Sequence, residues 1–122
     1  MIIFFEYHPK LCKEFNSIHK KHCKSLRGDF ERLKVALVED LENNGKFSKH
    51  SCNRISGLDS RVSLPAFIVK SFRCKDINKG KKSGFRLTFV FNPEGNYFYF
   101  VEMYRKKSQE VENKNRINKL FF

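Results

Sequence analysis

The sequence has no tryptophan, no Cys-x-x-Cys pair, no internal repeat, no low-complexity tract and no apolar run longer than a few residues. A transmembrane helix needs about 20 consecutive apolar residues, so none is expected, and neither is a membrane partner. The opening Met1-Ile2-Ile3-Phe4-Phe5-Glu6 has neither the basic region nor the small-residue cleavage site of a signal peptide, and reads as a strand. The default compartment is therefore the cytoplasm. Without an export signal a disulfide framework is not expected for Cys12, Cys23, Cys52 and Cys74. His19 and Cys23 share a helix face, but a zinc site needs further ligands that the spacing does not supply, so free thiols and surface imidazoles are expected and no cofactor. Negative charge is also scarce. Thirteen Asp and Glu stand against 25 Lys and Arg, a net charge of +12. Such a field draws in polyanions, with nucleic acid, an anionic membrane surface and an acidic protein all allowed by charge alone.

What is present is enough for one domain spanning residues 1–122 with a real core, since a chain of this length buries roughly two thirds of its unfolded surface. Hydrophobic residues make up 40% and aromatic residues 15%, with fourteen Phe, which suits strands pressing rings against helices. Residues 2–7 read as a strand. A helix follows from Pro9, where the missing N–H costs little, with Leu11, Phe15 and Ile18 as its stripe. Ser25 is placed to cap a second helix carrying Leu26, Phe30, Leu33, Leu37 and Leu41, which Asn43-Asn44-Gly45 ends. Residues 45–64 show no period and read as a long loop. Ala66 begins an apolar strand continuing towards Cys74, and Lys75 to Lys82 read as a charged hairpin loop. Ser83 to Phe91 alternates, with Phe85, Leu87, Phe89 and Phe91 on one face and Gly84, Arg86, Thr88 and Val90 on the other. Asn92 to Asn96 is a turn, and Tyr97 to Tyr104 is a further strand. Ser108 is placed to cap a last helix with Val111, Ile117, Leu120 and Phe121 inward and Glu110 and Glu112 in its first turn. The expected fold class is α+β: an N-terminal strand, an antiparallel meander and a helical hairpin on one face. The other face is either covered by the last helix or left open as a basic groove.

Three segments carry a resemblance to a known family. Phe67-Ile-Val-Lys70-Ser-Phe-Arg73-Cys, then Lys82-Ser83-Gly84-Phe85-Arg86-Leu87, then Phe100-Val-Glu102-Met-Tyr104-Arg105-Lys106 resemble the RelE and HigB toxins of the RelE/ParE superfamily. In that family a strand bearing Lys or Arg is followed by Ser-Gly-Tyr/Phe-Arg, and a further strand ends in a basic element before the last helix. Tyr7-His8-Pro9, Lys24-Ser25-Leu26 and Asp29 are similar to family members in the front half. The resemblance implies a RelE-like fold and a metal-independent endoribonuclease that cuts messenger RNA in the ribosomal decoding site, the toxin of a toxin–antitoxin pair. In such enzymes the 2′-hydroxyl attacks the neighbouring phosphate, leaving a cyclic phosphate and a free 5′-hydroxyl. That chemistry needs a base, positive charge on the pentacoordinate phosphate and an acid.

Carried over by position, the resemblance makes Arg86 the phosphate-binding arginine and Lys106 a cation assisting the transition state or leaving group. Lys70 and Arg73 lie on the strand that supplies the family's basic residues, with their register open. Lys75, Lys79, Lys81, Lys82 and Arg105 are the further RNA-contacting cations; the lysine run is equally readable as solvated. The family's tyrosine on the last helix is missing, since Val111-Glu112-Asn113 stands there. Tyr104 is the nearest substitute and is expected to stack on a base. Glu102 shares its face, and reads either as a base or as a partner of Arg86 or Lys70. No histidine falls in the expected groove. The implied partners are messenger RNA, the ribosome and an acidic antitoxin that wraps the basic surface or displaces the last helix. Two other readings remain open: a non-catalytic RNA binder on the same fold, and a basic subunit that binds only an acidic protein.

Overall fold

The computed structural model describes residues 2–78 and 84–121. The fold is α+β. The elements run β1 (Phe4–Tyr7), α1 (Pro9–Lys21), α2 (Leu26–Asn44), β2 (Asn53–Arg54), β3 (Ala66–Val69), α3 (Lys75–Asn78), β4 (Phe85–Asn92), β5 (Tyr97–Arg105) and α4 (Lys114–Phe121). They form a five-stranded sheet of order β1-β5-β4-β3-β2, with β3, β4 and β5 as the antiparallel meander and β1 parallel to β5.

Local chemistry explains the helix ends. His8 caps α1, its Nδ1 accepting from the Lys10 amide at 3.0 Å, ahead of Pro9 at the first position. Gly45 closes α2 at φ +72°, a left-handed conformation that glycine adopts without penalty. Ser25 stands at the N-cap of α2, but its hydroxyl donates to Asp29 Oδ2 at 2.7 Å instead of capping the backbone.

The helical hairpin covers one face. Leu11, Ile18, Leu26, Phe30 and Leu37 meet Phe85, Leu87, Phe89, Phe98 and Phe100 in a core of interlocking rings. Phe47, beyond α2, stands edge-on to Phe67, Phe89 and Phe91 at centroid distances of 5.0–5.4 Å. The second face is covered, and the open-groove alternative is thereby excluded. Ile117 of α4 and Ile55, with Leu58, Val62 and Leu64 of the preceding loop, pack on Ala66, Ile68, Val90, Val101 and Tyr104.

Several expectations are corrected. Two residues of the long loop form the edge strand β2, paired with Phe67 and Ile68. The third strand ends at Val69 rather than running to Cys74, and Lys75–Asn78 form a helical turn. The last helix begins at Lys114, with the Asn113 side chain accepting from the Arg116 amide at 3.1 Å. Ser108 is therefore no cap, Glu110 and Glu112 precede the helix, and Val111 is exposed. Cys23 and Cys74 are joined as a disulfide, against the expected free thiols; Cys12 and Cys52 are free.

One irregularity lies in β5. Thr88 pairs with Glu102 and Phe89 with Phe100, so Val101 is an extra residue, a β-bulge. Val101 and Glu102 both belong with the second face, and the alternation resumes out of phase at Met103. The pairing of β1 stops beside it, at Tyr7 and Phe100. Beyond that point the outer edge of β5 is closed by side chains. Arg116 of α4 donates to the Val101 carbonyl at 3.0 Å and to Glu14 of α1 at 3.0 and 2.9 Å. Glu14 in turn accepts from the Met103 amide at 3.3 Å. Two helices on opposite faces thus meet over a free strand edge and satisfy its polar groups.

Candidate nucleic-acid interface

The meander brings the C-terminal end of β3, the N-terminal end of β4 and the C-terminal end of β5 to one end of the sheet. Lys70 follows β3 and is exposed. Arg86 is the second residue of β4 and stands opposite Tyr104, as Phe85 stands opposite Arg105. Arg86 is half-buried, and its guanidinium donates to the Lys70 carbonyl. That bond uses one of its five N–H donors. Gly84, at φ +84°, turns the chain into β4, and its carbonyl accepts from the Lys106 amide at 3.0 Å. The exposed Lys106 is thereby held beside the start of β4.

Arg73 and Lys75 extend the same end. They border a pocket of about 400 Å³ with Arg32, Ser71 and Phe72. The Lys75 amide donates to Asp29 Oδ2 at 3.2 Å, and the Ser71 hydroxyl to the His50 carbonyl at 3.1 Å. Lys70 and Arg73 also border a polar cleft of about 450 Å³ with Lys49 and His50. Lys79, Lys81 and Lys82 lie outside the described residues.

The sequence reading missed His22, which ends α1 and stands in a groove of about 490 Å³ along the free edge of β5, with Lys13, Lys21, Tyr104 and Arg105. Its Nε2 lies 3.1 Å from the Arg105 guanidinium. The corner's burial, then Arg105 and Lys21, lower its pKa below the ordinary 6.5, so the imidazole is neutral at pH 7 and its ring nitrogen accepts from Arg105. The missing signal was tertiary: His22 and Arg105 are far apart in sequence and meet only because α1 packs along β5.

No protein-family model matches the chain, and no curated protein matches it. Solved structures similar to it include two of RelE proteins. One is the archaeal RelE–RelB complex from Pyrococcus horikoshii, 13% identical, with 87% of this chain and 97% of that chain covered at a TM-score of 0.48. The other is a double-mutant form of the E. coli toxin RelE in the free state, 18% identical, with 90% of each chain covered at a TM-score of 0.48.

Two strand residues differ in role from their expectations. Glu102 is 2% exposed and pairs with neither Arg86 nor Lys70. It accepts instead from Gln109 Nε2 at 2.9 Å and from the Asn113 amide at 2.8 Å, fastening the segment before α4 to the sheet. Tyr104 is also buried, packed with Ile117 and Val101, so its ring offers no face for a base to stack on. Burial first, then Glu112 and Glu102, push its hydroxyl up to about 12, with Arg86 pulling the other way. The phenol stays protonated at neutral pH and is a donor rather than a base.

Proposed function

We propose that this chain is a ribosome-dependent messenger-RNA endonuclease, the toxin of a toxin–antitoxin pair, cutting by 2′-hydroxyl attack without a metal. The supporting observation is the gathering of Lys70, Arg73, Lys75, Arg86, Arg105 and Lys106 at one end of the sheet, beside a groove that holds a neutral imidazole. A phosphodiester passing this end meets Arg86, whose planar fork matches phosphate oxygens and remains charged throughout. Lys106 adds charge as the phosphate becomes pentacoordinate. His22 is the imidazole that borders this groove, with its pKa held below the ordinary 6.5, and is the candidate base. Its ring nitrogen is covered by Arg105; a phosphate that draws the guanidinium away uncovers the lone pair. Tyr104 and Glu102 contribute position, not proton transfer. An acidic antitoxin is the natural cover for the same cations.

The test is primer extension on a messenger RNA in a bacterial translation extract, with and without active ribosomes. The expected result is new cuts that appear only during translation. They fall about 100- to 1,000-fold in Arg86→Ala/Lys106→Ala, the loss typical of removing transition-state charge. His22→Asn separates base from scaffold by losing rate while keeping RNA affinity. Cuts without ribosomes keep the nuclease and remove the decoding-site docking. Absence of cuts from folded protein with salt-sensitive RNA binding favours a non-catalytic RNA binder. The burial of Tyr104 and Glu102 gives that reading its support, since it leaves the strands without an exposed acid or base.

A further inference from the structure

The disulfide sits in an unusual setting. Cys23 lies in the turn between α1 and α2, and Cys74 lies 51 residues later, just before α3. Both are buried, and the third member of the cluster is a buried carboxylate, Asp29 in the first turn of α2. One sulfur from each cysteine and one oxygen of Asp29 all lie within 4.8 Å of one another. Ser25 Oγ is hydrogen-bonded to Asp29 at 2.7 Å and lies 3.6 Å and 3.5 Å from the Cys23 and Cys74 sulfurs. The pocket formed by Arg32, Ser71, Arg73 and Lys75 opens onto Asp29 and Cys74 from outside.

A disulfide does not need a buried carboxylate beside it. Zinc binds thiolate sulfur and carboxylate oxygen alike, and takes three protein ligands and a water at tetrahedral corners. From metal–sulfur and metal–oxygen distances of about 2.3 and 2.1 Å, the corners of that tetrahedron stand roughly 3.6 to 3.8 Å apart. Cys23 Sγ and Asp29 Oδ2 already stand 3.6 Å apart. The charges close as well. Two thiolates, Asp29 and Zn²⁺ sum to −1, and Arg32, ion-paired with Asp29, neutralises it. His19 is not part of the set; its ring stacks on Phe15 at a centroid distance of 6.3 Å.

We propose that Cys23, Cys74 and Asp29 form a zinc site that takes the place of the disulfide when the chain is reduced. Two molecules of a small-molecule thiol supply two electrons and two protons that convert the disulfide to two thiols, and they leave joined as their own disulfide. Zn²⁺ then displaces the two thiol protons, and solvent from the adjoining pocket fills the fourth position. Either form holds the segment carrying Arg73 and Lys75 against the start of α2, so the clamp survives a change of redox conditions. The site is independent of the RNA-cleaving reading and stands or falls without it.

The experiment uses Co²⁺ as the probe, on the full chain with Cys12→Ser to remove the exposed thiol. Burial pushes the Cys52 thiol up to about 12, which keeps it a poor competing ligand. The protein is reduced with a phosphine, freed of metal and titrated. The expected result is one Co²⁺ per chain with a thiolate charge-transfer absorbance that Zn²⁺ abolishes. The same chain oxidised to the disulfide, its folding checked by circular dichroism, is expected to show none. Asp29→Asn, checked for folding by circular dichroism in its oxidised form, is expected to weaken binding about tenfold or more, since even outer partners of a metal cost that much. A reduced chain with no charge-transfer band, or equal binding by the oxidised chain, overturns the site. Undiminished binding by Asp29→Asn overturns the carboxylate ligand.

Discussion

The two faces of the sheet are built by different physics. Under the helical hairpin the core is mainly aromatic and aliphatic side chains locked by shape, with Phe30, Phe89, Phe98 and Phe100 at its centre. Under α4 the apolar cluster is smaller, and the covering segment is fastened by polar anchors. Glu102 holds Gln109 and Asn113, Arg116 holds Val101 and Glu14, and the Asn118 amide oxygen accepts from the Asp59 backbone at 2.9 Å. A face packed by area loses stability smoothly as atoms are removed. A face pinned by charges loses it in steps, one for each partner orphaned.

Truncation of the central ring should show the largest effect. Phe100→Ala is expected to cost about 3–5 kcal/mol in urea unfolding, and Ile117→Ala on the opposite face about 2–4 kcal/mol. Equal costs would mean that the faces are equally packed. Next comes Arg116→Ala. It leaves Glu14 half-buried without its partner and the Val101 carbonyl uncapped, which is expected to cost about 2 kcal/mol and to raise hydrogen exchange in α4 before the hairpin. An unchanged α4 exchange rate would show that apolar burial alone seats that helix.

Thr88→Val should move stability the other way. The Thr88 hydroxyl is buried and has no partner among the described residues, so the isosteric change is expected to gain about 1 kcal/mol. The smallest effect concerns acid. Burial raises the Asp40 pKa, but hydrogen bonds from the Ser48 amide, Ser51 and Asn44 outweigh it and hold the carboxyl below its ordinary 3.8. A depressed carboxyl adds stability above its unfolded pKa and loses it as pH falls through the folded value. Denaturation midpoints of Asp40→Asn and wild type should therefore separate above the ordinary 3.8 and draw together as the pH falls below it.

The same division explains what could be read from sequence. The stripes of α1 and α2, the Gly45 stop and the alternation of β4 are local, period-carrying signals, and the structure agrees with each. The start of α4 could not be read, because Glu110 and Glu112 look like a first turn until Glu102 takes the Asn113 amide from across the fold. The bulge was equally silent: nothing in Phe100-Val101-Glu102 breaks its pattern, and only the pairing with Thr88 and Phe89 shows the extra residue. At the site, Arg86 and Lys106 were visible as motif residues. His22 was not, because its neighbour Arg105 arrives by packing.

The parallel pairing of β1 with β5 carries a consequence for synthesis. Phe4 waits for Tyr97, so β1 finds its place only after the intervening helices and strands have been made. Contacts this distant in sequence pay their loop-closure entropy before they return any stability, which slows folding. A nascent chain halted before Tyr97 holds the helical hairpin, β3 and β4 but none of the strand that carries Phe98 and Phe100, and leaves the part of the hairpin's apolar stripe that packs on those rings uncovered. The end of β5, with Arg105 and Lys106, therefore joins the fold late.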